Sequence, residues 1–208
     1  MSTSRSTVTA VLWDADGVLQ QVPASWFELL DEVIGKEESL ALLDLLLPQM
    51  EAAIRGDVAM SERLPAALVE RGLAEHVERV SEVWGTIDPL EESRAFVREL
   101  REGGIGCHLA TNQDDLRTSY MRARMGYDEL LDRTFYSCEL GVAKPDEGFF
   151  RRVAEELEVE LGALVFVDDT LENVHAAQSS GLPALLWHHR DGIDTLRERL
   201  AELGVEVG

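Results

Sequence analysis

With 208 residues, 45% of them apolar, the chain is long enough for one catalytic domain carrying an insertion, or for two small lobes, and too apolar for wholesale disorder. Its 40 acidic and 19 basic residues leave a formal charge of −21, which argues against nucleic acid or an anionic membrane as the main partner. Any anionic ligand would have to be held by local cations, which dominate once the global field is screened beyond roughly 8 Å at physiological salt.

The two cysteines, Cys107 and Cys138, have neither metal-ligand nor disulfide-framework spacing, so inert thiols in a reducing cytoplasm are expected. The polar start, residues 1–7, lacks the apolar stretch of a secretory signal, and no run reaches the ~18 apolar residues of a membrane span.

Residues 8–13 form an apolar run that stops at Asp14-Ala15-Asp16-Gly17, which predicts a buried strand delivering polar side chains to a loop at its carboxyl end. Residues 23–85 then carry helical periodicity without a convincing strand. About four helices are expected there, broken near Gly35, Pro48, Gly56 and Gly72. Beyond Pro89 helix and strand alternate: helix 91–101, strand 105–110, helix 114–125, a weak strand at 134–137, helix 145–157, strand 163–167, helix 171–179, strand 184–187 and helix 193–203. Such alternation implies an α/β fold with a mostly parallel sheet covered on both faces, and ligands of such sheets bind beyond the carboxyl ends of the strands.

Four clusters fall at those ends. Asp14 and Asp16 can reach one site, as a catalytic pair or as an ordinary turn or cation site. Thr111-Asn112 offers a hydroxyl and an amide to an anion, or caps the next helix. Lys144 precedes Pro145, which suits a first helical turn and places an ammonium near a helix N-terminus, unless it is a solvated surface lysine. Asp168-Asp169, with Asn173 one turn along the next helix, crowds two carboxylates that need a cation or lysine between them. Together these are the parts of a metal-assisted phosphoryl-transfer site. The five histidines form no metal spacing, and His188-His189 are read as an edge pair without a role. Trp26, Trp84 and the leucine run are expected to be core of the helical lobe. Gln20, Gln21 and Arg55 could reach a substrate or be solvated surface.

In order along the chain, Val11-Leu12-Trp13-Asp14-Ala15-Asp16-Gly17-Val18-Leu19, Leu109-Ala110-Thr111-Asn112, Gly141-Val142-Ala143-Lys144-Pro145-Asp146 and Val165-Phe166-Val167-Asp168-Asp169-Thr170 resemble the four motifs of the haloacid dehalogenase-like superfamily. The insert between the first two resembles the small helical cap of its first subfamily. The resemblance implies a Rossmann-like parallel sheet core, residues 1–19 and 89–208, with an inserted all-helical cap, residues 20–88; its insertion between two core strands, with a glycine and prolines at its flanks, places hinges near 20–23 and 85–89. It implies Asp14 as nucleophile forming an aspartyl-phosphate, and Asp16 as general acid and then base. Mg²⁺ would be held by the Asp14 carboxylate, the Asp16 backbone carbonyl and Asp169. Asp168 and Asn173 would position metal-bound water and Lys144, while Thr111, the Asn112 region and Lys144 stabilise the phosphoryl oxygens. A halide departs without a proton, whereas an alkoxide gains from a general acid, so Asp16 favours a phosphatase of a small phosphorylated metabolite over a dehalogenase. A phosphomutase shares every one of these core residues, and a non-catalytic phosphate-binding protein is the alternative from another class.

Overall fold

A computed structural model describes residues 8–205. Its centre is a five-stranded sheet of β1 (Ala10–Trp13), β4 (Gly106–Thr111), β5 (Arg133–Tyr136), β6 (Leu164–Asp168) and β7 (Ala184–Leu186). All neighbours run parallel, in the order β5-β4-β1-β6-β7. The strand register alternates side chains between two buried layers. Val11, Trp13, Leu109, Val165 and Val167 pack on one face against α6 (Glu91–Glu102), α7 (Asp115–Arg124) and α12 (Ile193–Glu202). Leu12, Ala110, Leu164 and Phe166 pack on the other against α10 (Glu147–Leu157) and α11 (Leu171–Ser179). Burial on both faces is why the central strands read as unbroken apolar runs.

Between β1 and α6 the chain makes the expected helical insert, but with five α-helices: α1 (Trp26–Ile34), α2 (Lys36–Leu46), α3 (Met50–Ile54), α4 (Met60–Glu70) and α5 (Val77–Gly85). Pro48 sits second in a tight 3₁₀ turn, Leu47–Gln49, which splits off α3 as an extra short helix. Leu30, Leu42, Leu46, Leu64, Leu68, Val80 and Trp84 give the insert a hydrophobic core of its own. A two-stranded antiparallel ribbon, β2 (Gln20–Gln21) with β3 (Asp88–Pro89), ties its two ends together. At two residues a strand, the ribbon carries no readable periodicity. The expected helix at 145–157 begins later, at Glu147, because Asp146 is its N-cap and accepts from the Gly148 N–H at 2.8 Å. Lys144 and Pro145 therefore lie in the preceding loop, not in a first helical turn. Two further short helices, α8 (Tyr127–Leu130) and α9 (Ser137–Leu140), flank β5. Among the described residues no helix is long and apolar enough to cross a membrane. Residues 1–7, read above as free of a signal, lie outside the described part.

Candidate active site

The central strands end at the same level. Asp14 follows β1, its N–H extending the ladder to the Val167 carbonyl at 2.9 Å. Thr111 closes β4, and Asp168 closes β6. Lys144 arrives in the loop after α9 and is anchored by Asn112, whose amide accepts from the Lys144 N–H (2.9 Å) and donates to the Lys144 carbonyl (2.8 Å). The Asn112 side chain thus serves the lysine loop, leaving the Thr111 hydroxyl and the Lys144 ammonium as the donors that this pair of motifs offers an anion.

Lys144 is the electrostatic centre. Its buried Nζ lies 2.6 Å from Asp168 Oδ2 and 2.8 Å from Asp14 Oδ1. The contact to Asp14 is a buried ion pair, the side chains being 1% and 10% exposed. Burial works against the charged lysine, yet Asp14 and Asp168 outweigh it and hold the ammonium above its usual pKa. Burial pushes the Asp14 carboxyl up to about 7 against the pull of Lys144, with Asp168 and Asp16 adding to the rise. Asp169 is also raised, by burial and then by Asp168.

The two adjacent aspartates have distinct surroundings. Asp168 is fully buried and saturated: it accepts from Lys144, from Asn173 Nδ2 at 3.2 and 3.0 Å, and from the Thr170 N–H at 2.7 Å. Asp169 faces the cavity and accepts only from the Thr170 hydroxyl, at 3.2 Å. Gly17, at φ +77°, passes so close that a Cβ there would overlap the Asp169 carboxylate. Glycine is required on both counts.

Asp16 is half-exposed and held by groups that no motif announced. Its carboxylate accepts from Gln113 Nε2 at 2.7 Å, Arg117 Nη2 at 3.0 and 3.3 Å and Gln20 Nε2 at 3.2 Å. Gln113 and Arg117 follow Thr111 into α7, so their position behind a flagged strand end was the available signal. Asp14, Asp16, Thr111, Asn112, Lys144, Asp169 and Asn173 all line one cavity of about 470 Å³. Of the residues in the four clusters only Asp168 is behind its wall. His188 and His189, given no role above, line it as well. His188 Nδ1 accepts from the Arg190 N–H at 3.1 Å, capping the turn His189–Asp191. Gln21 also lines the cavity. Gln20 is wholly buried beneath Asp16, and Arg55 is exposed on the insert, paired with Glu51 at 3.0 Å. A hollow of similar size, about 490 Å³, opens at the start of β4, remote from Thr111, and its Arg101 is already paired with Asp132 at 2.6 Å.

A family model for haloacid dehalogenase-like hydrolases matches residues 8–181, a span that contains all four clusters. The chain belongs to that family. This hydrolase is 26% identical over 196 residues to a sesquiterpene phosphatase of Aspergillus oryzae, covering 93% of this chain and 95% of the relative. It is 26% identical over 209 residues to a phosphatase of Mycobacterium tuberculosis, covering 90% and 92%. Its fold matches the crystal structure of a family enzyme from Bacteroides thetaiotaomicron in complex with magnesium and inorganic phosphate, with a TM-score of 0.72, 20% identity, and coverage of 86% of this chain and 93% of that one.

The acidic residues of this hydrolase fit a divalent cation. Asp14, Asp168 and Asp169 each bring an oxygen within 4.8 Å of the others. Against three carboxylates stands one ammonium, Lys144, so the cluster when ionised carries two formal negative charges. Burial first, and Asp168 in addition, raises both Asp14 and Asp169, and hard oxygen donors of this kind suit Mg²⁺. Since both Asp168 oxygens are already engaged, Asp14 and Asp169 are the carboxylates with an oxygen to give.

Proposed function

We propose that this protein is a magnesium-dependent phosphomonoester hydrolase that works through an aspartyl-phosphate on Asp14, with residues 20–88 as a cap domain over a core of residues 1–19 and 89–208. The observation that carries the reading is the pairing on one loop of a buried Asp14, 2.8 Å from Lys144, with a half-exposed Asp16 facing the same cavity. An Asp14 oxygen attacks phosphorus in line, the ester P–O bond breaks, and Asp16 gives its proton to the departing alkoxide. Asp16 then takes a proton from water as the water oxygen attacks the acyl phosphate, releasing inorganic phosphate and restoring Asp14. The Thr111 hydroxyl and the Lys144 ammonium stabilise the equatorial phosphoryl oxygens. Asp168 and Asn173 hold Lys144 in place from behind. The Asp14 carboxylate, the Asp16 backbone carbonyl and Asp169 would hold magnesium, which would supply positive charge to offset the charge of the phosphoryl group.

The names of the two relatives, both phosphatases, support this reading, and the free thiols Cys107 and Cys138 suit a cytoplasmic enzyme. The test is phosphate release from p-nitrophenyl phosphate. We expect turnover that needs magnesium, falls to background in Asp14→Asn, and stalls as a phosphoenzyme detectable by mass spectrometry in Asp16→Asn. Full turnover in chelator, or a phosphoenzyme in Asp14→Asn, would show the roles to be wrongly assigned.

A further inference from the structure

A second cavity, about 250 Å³, lies in the insert beside the site, and its walls are apolar: Val22, Trp26, Phe27, Leu47, Met50 and Trp84 border it. Three of these are among the most exposed large apolar side chains of the described residues, with Val22 at 42%, Leu47 at 58% and Phe27 at 62% exposure. Single exposed apolar residues need no explanation, but several gathered around one hollow mark a binding surface. The two indoles meet edge-to-face, and Trp26 meets Phe27 in the same way, with ring centroids 6.0 and 5.2 Å apart. Their N–H groups are engaged elsewhere, Trp26 Nε1 on the Val83 carbonyl at 2.8 Å and Trp84 Nε1 on Asp114 at 3.2 Å.

Two residues join this hollow to the catalytic cavity. Val22 lines both, and Arg117 borders the apolar hollow while its guanidinium holds Asp16 at 3.0 Å. The hollow therefore adjoins the Asp16 side of the site, which is the side of the leaving oxygen. The polar groups on its rim are mostly engaged, Asp114 accepting from Trp84 and Arg117 Nη2 donating to Asp16, with Arg117 Nε left without a protein partner, so the several hydroxyls of a sugar would find poor reception there.

We propose that this hollow is the leaving-group subsite and that the substrates are phosphomonoesters of apolar alcohols, a substrate class that rests on the phosphomonoesterase reading above. An apolar cavity of about 150 Å³ takes one benzene ring, which scales to a hydrocarbon of roughly ten carbons here. Such a chain presents no group that Asp114 or Arg117 must satisfy, and it covers Trp26, Phe27 and Leu47 from water.

The experiment pairs binding with turnover. Calorimetry with unreactive n-alkylphosphonates in magnesium should show Kd falling about fourfold per methylene up to roughly ten carbons, and kcat/KM for the matching alkyl phosphates should rise in step. Phe27→Ser and Leu47→Ser, both at exposed positions, should flatten the series. The octyl-to-ethyl ratio within each variant does not depend on how much of the protein is folded. Affinities independent of chain length, or sugar phosphates bound as tightly as the octyl compound, would overturn the subsite even if p-nitrophenyl phosphate is hydrolysed. A steep phosphonate series in a protein that hydrolyses nothing would instead keep the subsite and defeat the hydrolase reading.

Discussion

Replacing Lys144 by methionine tests whether the site is held together by charge. The ammonium is buried between Asp168 and Asp14, at 2.6 and 2.8 Å. At an effective dielectric of about 20, each contact is worth about 6 kcal/mol. Bringing three ions out of water costs several kcal/mol apiece, so the intact triad adds little net stability. Removal is different, because methionine keeps most of the stem and its packing against the Phe166 ring, which the Nζ faces at 5.0 Å, while stranding two buried carboxylates. The expected loss is about 3–5 kcal/mol, or roughly 6–20 °C in Tm for a chain of this size. Thermal unfolding by circular dichroism in chelator reads it without interference from bound metal. Adding Asp168→Asn removes one stranded charge and should return part of the loss, a coupling that a double-mutant cycle isolates. If Lys144→Met melts within a degree or two of the parent, or if the second substitution makes matters worse by its full independent cost, the electrostatic account of this triad is wrong.

Gly17→Ala adds a Cβ that meets the Asp169 carboxylate at a backbone φ of +77°. We expect about 1–2 kcal/mol of destabilisation and weaker magnesium binding by calorimetry; unchanged affinity would free Asp169 of its assigned part. His108 is half-buried, with Nδ1 unpartnered, and burial holds its pKa below the usual value. Its neutral form is therefore favoured by folding: the contribution is fully present above about pH 6.5 and is lost as pH falls from there through the folded-state pKa, because the unfolded chain takes up the proton first. His108→Phe should flatten the acid side of the stability curve in that window, and an unaltered slope would refute it. Asp115, on α7 of the core, accepts from the Met60 and Ser61 N–H groups at 2.6 and 3.3 Å, capping α4 of the insert from outside. Asp115→Ala should cost about 1 kcal/mol and speed hydrogen exchange at residues 60–64; exchange rates equal to the parent's would show that this contact does not hold the insert down.

Much of this was legible in the sequence because parallel strands buried on both faces must be apolar throughout, and they end abruptly where function begins. The runs before Asp14 and Asp168 announced both the strands and the acids. What could not be read was any partner chosen by tertiary contact. Gln113 and Arg117 have no motif of their own, and their bonds to Asp16 span 97 and 101 residues of chain. Trp26 packs against the insert's hydrophobic core as expected, but its place on the wall of an open hollow could not be read: an amphipathic helix shows which side chains are apolar, not whether protein or a cavity covers them. Pro145 misled because proline suits a first helical turn, whereas the N-cap Asp146 was the stronger signal.

The joint between insert and core follows from the same long-range bonds. Gln20 opens the stem ribbon, yet it is wholly buried, accepts from the Tyr127 hydroxyl at 2.8 Å, and donates to Asp16 and, at 3.7 Å, to Met121 Sδ. Tyr127 and Met121 both belong to the sheet's own hydrophobic layer, so Gln20 moves with the core. On the returning segment, a Cβ at Gly85 would stand 2.7 Å from the Tyr120 ring, and the Leu90 N–H donates to the Leu19 carbonyl at 3.0 Å. Any bending of the insert must therefore be absorbed after Gln20 and before Leu90. That range includes Val22, the residue shared by the catalytic cavity and the apolar hollow. A motion there changes the passage between the two cavities while Gln20, Gln113 and Arg117 keep Asp16 in register with Asp14. The Asp115→Ala exchange experiment reads this joint as well: loosening should spread to residues 21–25 and spare Gln20, and exchange at Gln20 rising in step with the insert would place the hinge inside the ribbon instead.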